Sequence, residues 1–138
     1  MASRDVVVDF WKAVDSHDWD LLASCISDDF VRIGMEPDES DICRGKENYL
    51  RFVSGVIGKM EHHTLEMRSL FYSEDRRHAI TECLETITTD GQPPLPMFFV
   101  NVHDINEDGL ISRLDIYWKT QRRMPPDWIA VATVLNEG

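Results

Sequence analysis

The sequence predicts an α+β fold, with helices covering one face of an antiparallel sheet. Two observations carry this reading. Helical periodicity dominates up to about residue 60, and a run of long strands linked by hairpin signals follows it. A third, composition, sets the scale: 138 residues with 43% apolar content make one domain, 1–138, with enough material for a real core.

The elements follow in order. Ser3 to His17 carries Val7, Phe10, Trp11 and Val14 at helical spacing, with Ser3 as the expected N-cap. A second short helix fits Asp18 to Ile26, capped by Asp18, with Leu22, Cys25 and Ile26 on one face; Ser27, Asp28 and Asp29 should break it. Phe30 to Met35 reads as a short strand, and Asp38 to Arg44 as a polar loop. After Gly45, the string KENYLRFVSGVIGKM spaces Tyr49, Phe52, Val53, Val56, Ile57 and Met60 as a third helix. The period then changes to two. His63, Leu65, Met67, Ser69 and Phe71 alternate with Thr64, Glu66, Arg68, Leu70 and Tyr72. Further strands are expected at about Ile80 to Thr89, Met97 to Ile105 and Leu110 to Gln121, joined by Asp90-Gly91-Gln92 and Asn106-Glu107-Asp108-Gly109. The tail, 124–138, is apolar from Trp128 to Leu135 and too short to fold alone. It is expected on the sheet, over a pocket mouth, or against a second subunit.

Charge and cysteine content narrow the function classes. Lys and Arg number 14 against 25 Asp and Glu, a net charge of −11. A field of that sign repels phosphate backbones and anionic lipid, so neither nucleic acid nor membrane is an expected partner. No apolar run reaches the length of a membrane span, and MASRDVVVDF lacks the apolar stretch of a signal peptide. Cys25, Cys43 and Cys83 are three, widely spaced and without a CxxC, which suits reduced thiols in a cytoplasmic protein. No phosphate-loop, dinucleotide or GxSxG fingerprint appears, so no cofactor is expected.

Three strings, in order, carry a resemblance: DDFVRIGMEP, RGKENYLRF and VNVHDINEDGLISRLDIYWK. Over residues 5 to 122 the chain resembles the nuclear-transport-factor-2-like superfamily, which includes ketosteroid isomerases, SnoaL-like polyketide cyclases and limonene epoxide hydrolases. The resemblance implies a cone: a curved antiparallel sheet and three helices enclosing one deep apolar pocket. In that register Cys83, Glu85, Phe99, Asn101, His103, Leu114, Ile116 and Trp118 face inward, and Phe10, Trp11, Ile26 and Val53 close the cup from the helices. It also implies a homodimer through the outer sheet face, where Leu70, Tyr72, Leu84 and Tyr117 would sit.

The candidate chemistry divides accordingly. Glu36 matches the isomerases' proton-shuttling carboxylate, although four acids crowd that loop and a solvated charge is the plain alternative. Asn101 matches an oxyanion donor, while the isomerases' phenols fall on Phe10, Ile26 and Val53 and are missing. The epoxide hydrolases' last-strand acid falls on Ile116, so Asp115 could serve only through a bulge; otherwise it pairs outside with Arg113 or Lys119. Glu85 and His103 are expected to converge as an acid/base pair, against the alternative of a satisfied core histidine. His62, His63 and Glu66 suggest a metal, but adjacent strand residues point to opposite faces. Arg32 could anchor a carboxylate or pair with a neighbouring acid. The expectation is a cofactor-independent enzyme moving protons on a small lipophilic, polycyclic or terpenoid/polyketide-like substrate by isomerisation, cyclisation or dehydration. Epoxide hydrolysis and non-enzymatic binding or dimerisation are the alternatives.

Overall fold

The computed structural model describes residues 4–119 and 126–137. Ser3 therefore lies outside the described residues, and the cap of the first helix falls two residues later. Asp5 accepts the Val8 N–H at 3.1 Å and opens α1 (Val6–Ser16); His17 closes it in the left-handed conformation. Asp18 caps α2 (Trp19–Cys25) as expected, through the Leu21 N–H. Ser27 to Asp29 do not end in a loop: the chain passes directly into β1 (Ile26–Ile33), which absorbs them in an irregular stretch between Ile26 and Val31. The acidic loop also holds more order than its composition suggests, with a 3₁₀ turn at Glu39–Asp41 and a short strand, β2 (Ile42–Arg44). Gly45, at φ 92°, turns the chain into α3 (Lys46–Val56).

Four long strands follow: β3 (His62–Tyr72), β4 (His78–Thr88), β5 (Leu95–Ile105) and β6 (Ile111–Trp118). The six form one sheet in the order β2-β1-β6-β5-β4-β3. It is antiparallel throughout except where β1 lies parallel to β6. That exception is topological, because β1 is separated from β6 by α3 and the whole meander. Helices α1 to α3 cover the concave face, with Val7, Phe10, Leu22, Phe30, Leu114 and Ile111 fully buried between the layers. The chain is thus an α+β fold of helices on a curved sheet.

One bulge changes a face assignment. The β3–β4 register slips between Met67 and Ser69, so Leu70 and Tyr72 pair with Thr81 and Ala79 and pack against the core. Strict alternation had put both on the outer face; Leu84 and Tyr117 do lie there. Within α4 (Pro126–Glu137) no residue is buried, and Trp128, Val131, Val134 and Leu135 are all exposed.

Candidate active site

The concave face holds a small cup. Trp11 and Val14 of α1, Phe52 and Val53 of α3, and Phe99, Leu114 and Ile116 of the sheet supply its apolar wall, with Met35 and Ile57 at the margin. Its accessible volume is about 50 Å³. Three polar side chains face into it: Glu85, Arg32 and Tyr49. Trp11, Val53, Phe99, Leu114 and Ile116 are where the sequence placed them. Phe10 is fully buried behind the wall, against Trp11, Phe30 and Tyr49. Cys83 and Trp118 lie beyond the cup, in a second concavity of about 530 Å³ that also takes in Arg68, Phe98, Val100, Tyr117 and Lys119. Burial pushes the Cys83 thiol up to about 12, so it is no nucleophile at neutral pH.

Glu85 sits on the inward parity of β4, between Cys83 and Ile87, and is buried. Its partner is not His103. His63, whose side chain is fully buried, places Nε2 2.7 Å from Glu85 Oε2. The two are diagonal neighbours across the β3–β4 ladder, since His63 pairs with Ile87 and Leu65 with Glu85. His63 Nδ1 in turn faces His17 Nε2 at 3.0 Å. The signal in the sequence is the period of two, which puts His63 on the strand face of Leu65 and Met67 and so inside. His62 and Glu66 are exposed, on the other side of the strand from His63.

His103 is a core histidine. Trp11 Nε1–H donates to its Nε2 at 3.0 Å, and its Nδ1 lies 3.0 Å from the Ala79 carbonyl. Those two bonds require the neutral tautomer with the proton on Nδ1. Burial lowers its pKa to about 4, consistent with that state. It therefore braces Trp11, a wall of the cup, and does not meet Glu85. Asn101 is fully buried beside it; its amide Nδ2 donates to Thr81 Oγ1 at 3.0 Å, and Oδ1 has no partner among the described residues.

The two remaining candidate acids lie outside the cup. Glu36 is exposed in the loop after β1. Asp115 is on the outer parity of β6, where Arg113 Nη2 meets its Oδ2 at 2.9 Å and Tyr117 donates at 3.1 Å. The β5–β6 register slips at Ser112, but pairing is regular from Arg113 to Trp118, so Asp115 keeps the outer parity.

Arg32 and Tyr49 complete the site from the opposite wall. Arg32 Nη1 bonds Asp41 Oδ1 at 2.9 Å, and its guanidinium lies 4.5 Å from the centre of the Phe52 ring. Burial opposes the Asp41 charge, but the bonds from Arg32 and the Met35 N–H hold its carboxyl below the ordinary range. Tyr49 is buried against Phe10 and Phe30. Desolvation drives its phenol well above its usual pKa, so it remains a donor at any working pH. The helical spacing of α3 marked Tyr49 only as apolar packing, and its hydroxyl was not anticipated. Together the cup offers a histidine-held carboxylate on one side and a phenol and a guanidinium on the other. Such a set can take a proton from bound carbon or water while stabilising negative charge on oxygen.

A sequence profile of the SnoaL-like domain matches residues 7–114. The chain belongs to this SnoaL-like family. A search of curated proteins returned no match. Among solved structures, the SnoaL-like chain is similar to RV0760c from Mycobacterium tuberculosis, crystallised with estradiol-17β-hemisuccinate: TM-score 0.72, 24% identity, covering 83% of this chain and 91% of that one. It is also similar to an LEH-like epoxide hydrolase from M. tuberculosis, with TM-score 0.68, 17% identity and coverages of 83% and 80%. A third is SalBIII, an epoxide hydrolase/cyclase-like enzyme of pyran ring formation in salinomycin, with TM-score 0.69, 15% identity and coverages of 83% and 88%. At these identities the likeness is one of fold. No described helix is long and apolar enough to cross a membrane.

Proposed function

We propose that this SnoaL-like protein is a cofactor-independent acid/base enzyme in which Glu85 moves a proton on a carbonyl compound held in the cup. The observation that carries the reading is the buried Glu85 carboxylate, bonded by buried His63 at 2.7 Å and lining the same cavity as Tyr49 and Arg32. Glu85 takes a proton from the carbon beside the carbonyl, and Tyr49 or Arg32 donates to the oxygen where enolate charge develops. Arg32 already carries Asp41, which positions the guanidinium at the cup.

The cavity volume sharpens the substrate class. About 50 Å³ matches a reactive end of a few heavy atoms. The substrate is accordingly a small enolisable ketone or aldehyde, or a larger lipophilic molecule inserting one such end. The three free thiols suit a reducing, cytoplasmic setting. Epoxide hydrolysis through Asp115 has no support, because that acid faces away from the cup.

Deuterium wash-in from D₂O into a panel of small enolisable ketones tests the proposal. Wild type should accelerate exchange at the carbon beside the carbonyl for at least one member. Glu85→Gln should lower that rate by at least about 100-fold, the usual contribution of a positioned base. Equal rates in the two proteins would remove Glu85 from the chemistry. With an epoxide added to the panel, ¹⁸O from labelled water in its diol product and no ketone wash-in would assign epoxide hydrolysis instead.

A further inference from the structure

The bond network does not stop at Glu85. Glu85 Oε2, His63 Nε2, His63 Nδ1 and His17 Nε2 follow one another at 2.7 Å and 3.0 Å, from the cup to the junction of α1 and α2. His17 is half-buried and lies flat against Trp19 with ring centroids 5.4 Å apart; among the described residues its ring bonds through Nε2, to His63. From these contacts we propose that His17 and His63 form a proton relay connecting solvent with the Glu85 carboxylate. The relay rests on Glu85 acting as the cup's base, and it assigns His17 a positioning role without contact to substrate.

The atoms balance in a single passage. In the resting state His63 Nε2–H donates to Glu85, so His63 Nδ1 must accept from His17 Nε2–H. A solvent proton binds His17 Nδ1; the His17 Nε2 proton moves to His63 Nδ1; the His63 Nε2 proton moves to Glu85 Oε2. One proton enters and one arrives, and both rings have exchanged tautomers. The outward passage starts from the exchanged tautomers, in which His63 Nε2 is bare. Once Glu85 has given its proton to substrate, the next proton it abstracts passes to His63 Nε2, the His63 Nδ1 proton to His17 Nε2 and the His17 Nδ1 proton to water, which restores the resting state.

The surroundings fix both rings. His17 holds a left-handed backbone conformation, φ 58°, which aims its ring back over β3. Asp15 of α1 accepts the Leu65 N–H at 2.8 Å, tying the end of α1 to the strand that carries His63. The acids nearest the two histidines in the chain are engaged elsewhere: Asp15 with the Leu65 N–H, Asp18 with the Leu21 N–H and Glu61 with His62. Glu85 is the acid bonded to either ring.

The test is solvent exchange of the His63 ring proton, followed by NMR on ¹⁵N-labelled protein at fixed pH. His17→Gln keeps a side-chain donor but cannot pass a proton. His17→Asn suits the left-handed backbone yet is too short to reach His63. Exchange should slow at least about tenfold in both variants, and added imidazole should restore it in His17→Asn. Wild-type rates in both variants would overturn the relay. Failure of the underlying reading is separable: unchanged wash-in for Glu85→Gln would remove the base, whereas the exchange rate of His63 reports the relay alone.

Discussion

At the residue scale, two buried histidines in one small molecule do opposite work because of what each can bond. His63 meets a carboxylate, whereas His103 meets an indole N–H and a carbonyl. Only the second is committed to neutrality by both partners. Its acid behaviour follows. Folded His103 accepts a proton near pH 4, while an unfolded imidazole does so near 6.5. Between those values the unfolded state binds more protons, so stability is full above pH 6.5 and is lost as pH falls towards 4. The gap corresponds to roughly 3 kcal/mol, about 2 of which should be gone by pH 5. Urea unfolding at pH 7 and pH 5 should show this loss in wild type and a smaller one in His103→Gln. Identical losses in the two proteins would mean that His103 is not the group responsible. The sequence expectation of a Glu85–His103 pair had the strand faces right. It missed that Trp11 stands between helix and sheet with a donor needing an acceptor, a contact 92 positions apart that no local pattern displays.

At the element scale, the fold was legible wherever period and capping agreed. Asp18 capped α2, and the alternation of β4 and β5 correctly put Glu85, Asn101 and His103 on the inner face. Legibility failed where the backbone departs from its period. The β3 bulge turned Leu70 and Tyr72 inward, and the acidic loop after β1 proved to be a structured clasp. That clasp has a sequence cause. Gly34 N–H donates to the Asp41 carbonyl at 2.8 Å, Met35 N–H donates to its carboxylate, and a Cβ at Gly34 would collide with that carboxylate. Asp41 in turn holds Arg32 at the cup. Gly34→Ala should expel Asp41 and leave a buried guanidinium unpaired, costing roughly 2 to 4 kcal/mol in urea unfolding. A change below about 0.5 kcal/mol would show that the clasp does not depend on glycine. Two acids of α1 and its cap are structural as well: Asp5 and Asp15 fasten both ends of α1 to β3, through Tyr72 and the Leu65 N–H. Asp15 also satisfies an N–H on the edge strand of the sheet.

At the scale of the whole molecule, the sheet separates two surfaces of different character. The concave side is closed by helices around a cup of about 50 Å³, and the convex side exposes Phe71, Ile80, Phe98, Val100 and Tyr117. Val100 and Tyr117 are directly paired across β5 and β6, so their exposure is contiguous. We propose that this face joins two copies of the chain, because apolar surface of this kind on neighbouring strands is rarely left to water. Sedimentation should give a dimer at micromolar concentration for wild type and a monomer for Tyr117→Glu; a monomeric wild type would refute the pairing. The same convex side carries the larger concavity, near Arg68 and Trp118, which competes with the cup as a place for ligand. A crystal structure of Glu85→Gln soaked with the ketone that wild type exchanges decides between them. The acid/base account predicts the carbonyl oxygen at hydrogen-bond distance from Tyr49 or Arg32, with the exchanging carbon within about 3.5 Å of the Gln that replaces Glu85. Ketone bound in the outer concavity beside Arg68 and Tyr117, with the cup empty, would contradict it.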